Sequence, residues 1–432
     1  MQRTRFLGDI LSTLFDRSAS LRGTNDTRDI YALCHALLSP EGEVSGQKLA
    51  ATVLARYRAL GPDAKTAFFT FLNDALDIDA ATLSDLAAQY AKSPTPALYK
   101  ALSTAAEPKR QELLRRLNQP MGATAELVAM RVDLLRILKA NPDLARTDLD
   151  FVHLLRSWFN RGFLVLKAIN WDTPARILDK IVTYEAVHEI KDWDDLRRRL
   201  YPSDRRCFAF FHPAMPDEPL IFVEVALTAL VPGSITKLLS EDRLALEAED
   251  AKVAVFYSIS NCQAGLAGVS FGNLLIKQVV SELRQSFPKL EKFVTLSPIP
   301  GLNGWLASQT GTAENGLAAS AILTHSATDA DIRAMAARYL LRAKRADGQP
   351  LDPVARFHLG NGAEVHDIHA GADISANGRS QSSGAMVNYL YDLARTERNH
   401  ADFALKSIVA AAKPVQALAA LPLTAKPKET QP

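Results

Sequence analysis

Three stretches in the second half of the chain carry residue types that could do chemistry. The first runs from Asn261 to Asn273 (N-C-Q-A-G-L-A-G-V-S-F-G-N) and joins an apolar, strand-like segment, Lys252–Ser260, to a helix-patterned one, Gly272–Phe287. Glycines in such a turn let the backbone approach a ligand closely. The start of the following helix adds unpaired N–H groups and the positive end of its dipole, a geometry that suits a pyrophosphate. The spacing fits neither G-x-x-x-x-G-K-[ST] nor G-x-G-x-x-G, and glycines also occur in strand-to-helix turns for structural reasons alone. The second stretch, Thr295–Gly301 (T-L-S-P-I-P-G), follows a short strand pattern, and its two prolines fix the backbone straight after Ser297. The third, Arg356–Ala363 (R-F-H-L-G-N-G-A), reads as an apolar strand with His358 just before a turn. A serine before proline is also an ordinary turn residue, and a lone histidine on an apolar strand is also an ordinary structural group.

Other residues invite weaker readings. His366, His369 and Asp373 form H-x-x-H-x-x-x-D. The flanking glycines do not give the helical i, i+4 pairing of a zinc enzyme, so no metal is expected there. Arg197–Arg199 with Arg205 and Arg206 could meet a phosphate or line a solvated helix face. Glu224, inside the apolar run F-V-E-V-A-L, needs a partner, either to orient a site or as a structural ion pair.

Two kinds of chain surround these stretches. Residues 1–160 read as helix after helix, with apolar residues such as Leu7, Ile10, Leu11 and Leu14 at helical spacing and breaks at Pro40, Gly61–Pro62, Pro94–Pro96 and Pro120. This part is expected to be a helical bundle that serves oligomerisation. From residue 161 to 432 the texture turns to α/β. Strand patterns at Phe163–Leu166, Arg206–His212, Leu220–Leu227, Lys252–Ser260 and Lys292–Leu296 are interleaved with a helix, which makes a βαβ unit. The tail from Lys413 is expected to fray.

Bulk properties narrow the function. A net charge of +2 gives no field that would draw the chain to nucleic acid or an acidic membrane. No apolar run reaches the ~20 residues of a membrane span. Three scattered cysteines imply neither a disulfide framework nor a zinc ribbon and fit a reducing compartment. The N-terminal stretch has the arginines of a mitochondrial presequence, but Asp9 and Asp16 favour an ordinary first helix.

The segments F-F-H-P-A-M-P-D-E-P-L-I-F-V-E-V-A-L-T, F-Y-S-I-S-N-C-Q-A-G-L-A-G-V-S-F-G-N-L-L-I-K-Q-V-V, F-V-T-L-S-P-I-P-G, R-F-H-L-G-N-G-A-E-V and N-Y-L-Y-D-L, in this order between about Arg205 and Leu393, resemble the malonyl-CoA decarboxylase family. Five ordered motifs are far more specific than any one of them. The resemblance implies an N-terminal helical domain, a GNAT-like acyl-CoA-binding catalytic domain and a homotetramer. It implies a cofactor-free lyase of fatty acid and malonate metabolism that converts malonyl-CoA to acetyl-CoA and CO2. By the same resemblance Ser297, His358 and Tyr391 are catalytic, and Ala267, Gly268, Val269, Ser270, Phe271, Gly272 and Asn273 bind malonyl-CoA together with Ser297 and His358. Some members carry Glu where this chain has Ser270, so a catalytic carboxylate is not carried over to that position. A histidine with an ordinary pKa near 6.5 would suit proton delivery to the α-carbon. The alternatives are a GNAT-type acyltransferase, which needs an acceptor, and a malonyl-CoA sensor without turnover.

Overall fold

The computed structural model describes residues 26–269 and 274–421. The expected helix around Leu7–Leu14 and the loop positions Ser270–Asn273 lie outside the described residues.

Among the described residues eight α-helices come first: α1 (Ile30–Leu38), α2 (Glu41–Arg58), α3 (Pro62–Asp74), α4 (Ala80–Lys92), α5 (Pro96–Ala105), α6 (Lys109–Leu117), α7 (Ala123–Ile137) and α8 (Ala145–Trp158). Most of the breaks read from sequence are starts. Pro62 and Pro96 sit in the first turns of α3 and α5, where a missing N–H costs nothing. Phe68, Phe69, Leu72, Leu113, Leu117, Leu127 and Leu134 are fully buried and form the bundle core.

The rest is a mixed sheet with helices. Its strands are β1 (Val165–Ile169), β2 (Arg205–His212), β3 (Met215–Thr228), β4 (Val253–Asn261), β5 (Lys292–Thr295), β6 (Ser297–Pro298), β7 (Glu364–His369) and β8 (Met386–Leu390). The sheet order is β1-β2-β3-β4-β5-β8-β6, with β7 on β8. Its helices are α9 (Ala175–Tyr184), α10 (Trp193–Leu200), α11 (Ile235–Leu238), α12 (Leu274–Ser286), α13 (Leu302–Gln309), α14 (Gly316–Leu323), α15 (Asp329–Arg342), α16 (Pro353–Gly360), α17 (Ala376–Ser382), α18 (Thr396–Lys406) and α19 (Lys413–Ala420). Apolar side chains fill two clusters. One holds Ile177, Ile181, Phe211 and Phe222, the other Val255, Tyr257, Leu296 and Met386.

The strand β4, its turn, α12 and β5 form the anticipated βαβ unit. β4 and β5 run parallel from Val253↔Lys292 to Phe256↔Thr295 and then part. β4 continues to Asn261, while the chain after Thr295 turns to pair with β8 through Ser297↔Val387. Ser297 therefore stands where two parallel strands diverge.

Several expectations change. The tail does not fray at Lys413: residues 413–420 form α19, with Pro414 in its first turn and Val415 and Ala419 buried. The link between β2 and β3 is shorter than the interval Pro213–Pro219, since β3 already begins at Met215. The chain also divides less simply than by one cut. Among the described residues, one compact unit holds 26–164 with 212–216 and 263–269, and the other holds the remainder. Among the described residues no helix is long and apolar enough to cross a membrane.

Candidate active site

Ser297, His358 and Tyr391 come from three separate elements of the sheet-containing unit. Ser297 is the first residue of β6, held against β8. The prolines after it leave the chain little freedom, and Gly301 completes the turn. A Cβ at Gly301 would lie 2.0 Å from the Tyr339 hydroxyl, so any other residue there would force Tyr339 to move.

His358 lies on α16, not on the strand expected from sequence. The reason is local. Asp352 caps the helix by accepting from Ala355 N at 2.8 Å, and Pro353 occupies the first turn. The apolar run that follows is too short for its periodicity to tell helix from strand, and the Asp–Pro start signal decides it. Asp352 also accepts from the backbone N of Gly301 at 3.4 Å, which ties the start of α16 to the turn after Ser297. The end of α16 is fixed by Ala363 N donating to the His358 carbonyl at 3.1 Å. Gly362, at φ +82°, lies so near Thr396 that a Cβ would meet its carbonyl oxygen at 2.1 Å. Tyr391 follows β8, and its backbone N donates to Phe293 O on β5 at 2.9 Å.

These elements bring the three side chains into a line. Ser297 Oγ is 3.1 Å from His358 Nε2, and Tyr391 Oη is 2.8 Å from His358 Nδ1. All three residues are buried. Tyr389 stacks on the imidazole with ring centroids 4.5 Å apart, and its hydroxyl has no hydrogen-bond partner among the described residues. Burial depresses His358 to about 3, so the ring is neutral at neutral pH, unlike the ordinary histidine assumed from sequence. Burial also pushes the Tyr391 hydroxyl well up, which keeps it protonated.

The line extends beyond the residues singled out in the sequence. Ser297 Oγ donates to Thr295 Oγ1 at 2.9 Å, and Tyr389 N donates to the same Oγ1 at 3.2 Å. Asn388 Nδ2 donates to the Thr295 carbonyl at 2.8 Å and accepts at Oδ1 from His369 Nε2 at 2.6 Å. Neither Thr295 nor Tyr389 carries a sequence signal of its own. Only the i, i+2 spacing along strand-like segments would have placed Thr295 beside Ser297 and Tyr389 beside Tyr391.

The remaining candidates fall elsewhere. Of the loop, Ala267 and Gly268 are exposed and Val269 is buried. Within the helical unit, Arg131 donates to the carbonyls of Gly265 and Ala267, both at 2.7 Å. His369 is engaged with Asn388, and Asp373 accepts from Ser375 N. Among the described residues no three His, Cys, Asp or Glu side chains gather as a metal site. Arg199 and Arg205 are buried, Arg197 is exposed, and Arg198 and Arg206 are half-buried, Arg206 on β2 and not on a helix. Glu224 is fully buried against Arg199 at 3.3 Å.

A helical region, a mixed sheet with a strand–turn–helix–strand unit, and a buried hydroxyl–imidazole–phenol line define a class: an α plus α/β protein with a hydrogen-bonded Ser–His–Tyr group buried beside its sheet. The chain belongs to the malonyl-CoA decarboxylase family. The family's C-terminal domain model matches residues 162–431 and its N-terminal domain model residues 76–159. The mitochondrial malonyl-CoA decarboxylase of Anser anser anser is 36% identical over 337 residues, which is 68% of this chain and 66% of that protein. The crystal structure of malonyl-CoA decarboxylase from Rhodopseudomonas palustris matches with a TM-score of 0.84 and 48% identity, covering 90% of this chain and 98% of that one. The one from Agrobacterium vitis matches with a TM-score of 0.86 and 46% identity, covering 90% and 99%.

Proposed function

We propose that this protein decarboxylates malonyl-CoA to acetyl-CoA and CO2, using Ser297 and His358 with Tyr391 and no metal or organic cofactor. The observation that carries the reading is the buried line Ser297–His358–Tyr391 in a chain of this family. Breaking the bond to the carboxylate leaves an electron pair on the α-carbon, which spreads into the thioester oxygen. The thioester is itself the electron sink, so the protein has to stabilise the enolate and then protonate carbon. Donors aimed at a developing oxyanion are typically worth about 10²–10³ in rate.

A neutral imidazole N–H is a weak acid, but an enolate carbon is a strong base, and neutral histidine serves elsewhere as an electrophile. In this scheme Ser297 passes its proton to the α-carbon and takes one from His358 Nε2. The charge left on the ring is stabilised at Nδ1 by the Tyr391 hydroxyl, and solvent returns the proton after product leaves. We propose that Ala267–Asn273 hold the CoA arm, that the protein is a homotetramer and that it works in the cytoplasm, where its three buried free thiols stay reduced.

The test is incubation of the purified protein with malonyl-CoA alone, before and after exhaustive EDTA treatment. Acetyl-CoA should form at the same rate in both. Turnover only with an added amine would make it an acyltransferase, binding without turnover would make it a sensor, and zinc-restored activity would end the metal-free scheme.

A further inference from the structure

We propose that Thr295 is a positioning residue that sets the direction of the proton line. The inference rests on reading Ser297 and His358 as the reacting pair. Thr295 is the last residue of β5 and is fully buried. Its Oγ1 accepts from Ser297 Oγ at 2.9 Å and from Tyr389 N at 3.2 Å, so both of its lone pairs are engaged. The Tyr389 N–H belongs to the backbone and can only donate.

Ser297 has one hydroxyl proton. With that proton committed to Thr295, Oγ turns a lone pair toward His358 Nε2, 3.1 Å away. Nε2 must then carry the ring's hydrogen. A neutral imidazole has only one, so Nδ1 accepts, and Tyr391 Oη at 2.8 Å donates to it. Every bond points the same way, from Tyr391 to His358 to Ser297 to Thr295. Substrate that draws the Ser297 proton away from Thr295 finds Nε2–H already aimed to replace it. The opposite ring tautomer would leave Nε2 bare and the serine without a supply.

Thr295→Val keeps the shape and removes the acceptor, and Thr295→Ser keeps the hydroxyl. In the valine variant the serine proton is free to turn to Nε2, which favours the Nδ1–H ring. A wrong tautomer is among the costlier faults in such dyads. kcat for decarboxylation should fall about 10²-fold, the lower end of what acid–base catalysis contributes. KM should stay within about twofold, because substrate contacts are untouched. Thr295→Ser should restore kcat. Nitrogen NMR of ring-labelled histidine, with the His358 signal identified by its loss in His358→Asn, should show Nε2–H in the wild type and the serine variant and Nδ1–H in the valine variant.

A wild-type His358 found as Nδ1–H overturns the proposal without any variant being needed. So does wild-type kcat in folded Thr295→Val, or equal loss in the valine and serine variants with raised KM, which would mark a packing role. Ser297→Ala in the same assay separates the two levels. Full activity there removes the reading of the site. An inactive Ser297→Ala beside a fully active Thr295→Val removes only the role of Thr295.

Discussion

The sheet-containing unit buries two polar groups of similar size, and they are put together differently. In the line Tyr391–His358–Ser297–Thr295 both ring nitrogens have partners, and each hydroxyl is joined to a neighbour in the line. Around Arg199, by contrast, Glu224 Oε1, Tyr257 Oη and His188 Nε2 have no hydrogen-bond partner among the described residues. Burial shifts both groups. It depresses His358 to about 3 and His188 to about 4, and it pushes Glu224 up to about 8. A shifted pKa therefore does not distinguish them. The first group is an ordered row of hydrogen bonds, which in the proposed scheme passes a proton in one direction. The second gathers opposing demands on one guanidinium, which also serves Asp195 and the carbonyls of His188 and Glu189. Order along a path is what favours the first group as the reacting one in the proposed scheme, and burial alone marks only a cost.

The largest effect should separate the two groups outright. His358→Asn should lower kcat by about 10³-fold and Ser297→Ala by somewhat less, with KM little changed in both. The double variant should be hardly worse than the poorer single, as for residues acting as one unit. Because His358 is already neutral, the wild-type kcat should show no step near pH 6.5. Stopped assays across pH 5.5–8, with circular dichroism on every variant, check this. Near wild-type turnover in folded His358→Asn would erase the distinction drawn above, and a histidine step near pH 6.5 would restore the imidazolium donor.

The sequence made much of this legible and hid the rest for physical reasons. Proline and glycine punctuation marked the helical half, and apolar β-branched runs marked β2 to β5, because both signals are local. The motifs around Ser297 and His358 were visible as residue types. The element carrying His358 is ambiguous by pattern, since eight apolar-rich residues suit helix or strand equally and only the Asp352–Pro353 start signal decides for helix. Thr295 is legible only in part: i, i+2 spacing places it beside Ser297, but its role also depends on Tyr389 N arriving from β8, a pairing no spacing encodes. The depressed pKa of His358 was hidden likewise, since burial belongs to the assembled unit. Nothing in Glu224's own neighbourhood in sequence named Arg199, which comes from α10.

A smaller effect should follow from cutting the line at its far end. Tyr391→Phe removes the hydroxyl that orients Nδ1 and stabilises charge on the ring, while the apolar packing stays. In the proposed scheme Tyr391, whose hydroxyl burial makes a weaker acid, orients and stabilises the ring and does not supply the proton. kcat should fall about 10-fold, less than the 10²–10⁴ of a proton-transferring group. A loss as large as that of His358→Asn would make the phenol a proton source, and no loss at all would shorten the line to two residues.

The smallest effect concerns the second group and should appear in stability, not turnover. Burial, reinforced by the negative charge of Glu185, raises Glu224 from 4.5 to about 8 against the pull of Arg199. Between those values the folded protein holds a proton that the unfolded chain has released. The contribution of Glu224 to stability is therefore complete below pH 4.5 and is lost as pH rises through 8. His358 and His188 act with the opposite sign. Their folded values lie below 6.5, so their contributions are present above that pH and are lost as pH falls toward 4 and 3. His212 and His366, also lowered by burial, add to the gain below pH 6.5, where Glu224 and Asp352, both raised by burial, lose; from pH 6.5 to 8 the loss at Glu224 remains. Tm of the wild type should thus peak near pH 6.5 and decline toward pH 8.5. Glu224→Gln keeps the shape and cannot ionise, so its Tm should stay level over that upper range while kcat at pH 7 is unchanged. Thermal melts of both proteins from pH 5 to 8.5 decide it. Parallel curves would mean that Glu224 is ionised in the folded state and that Arg199 compensates it fully. A collapse of kcat in Glu224→Gln would instead join the two groups into one site.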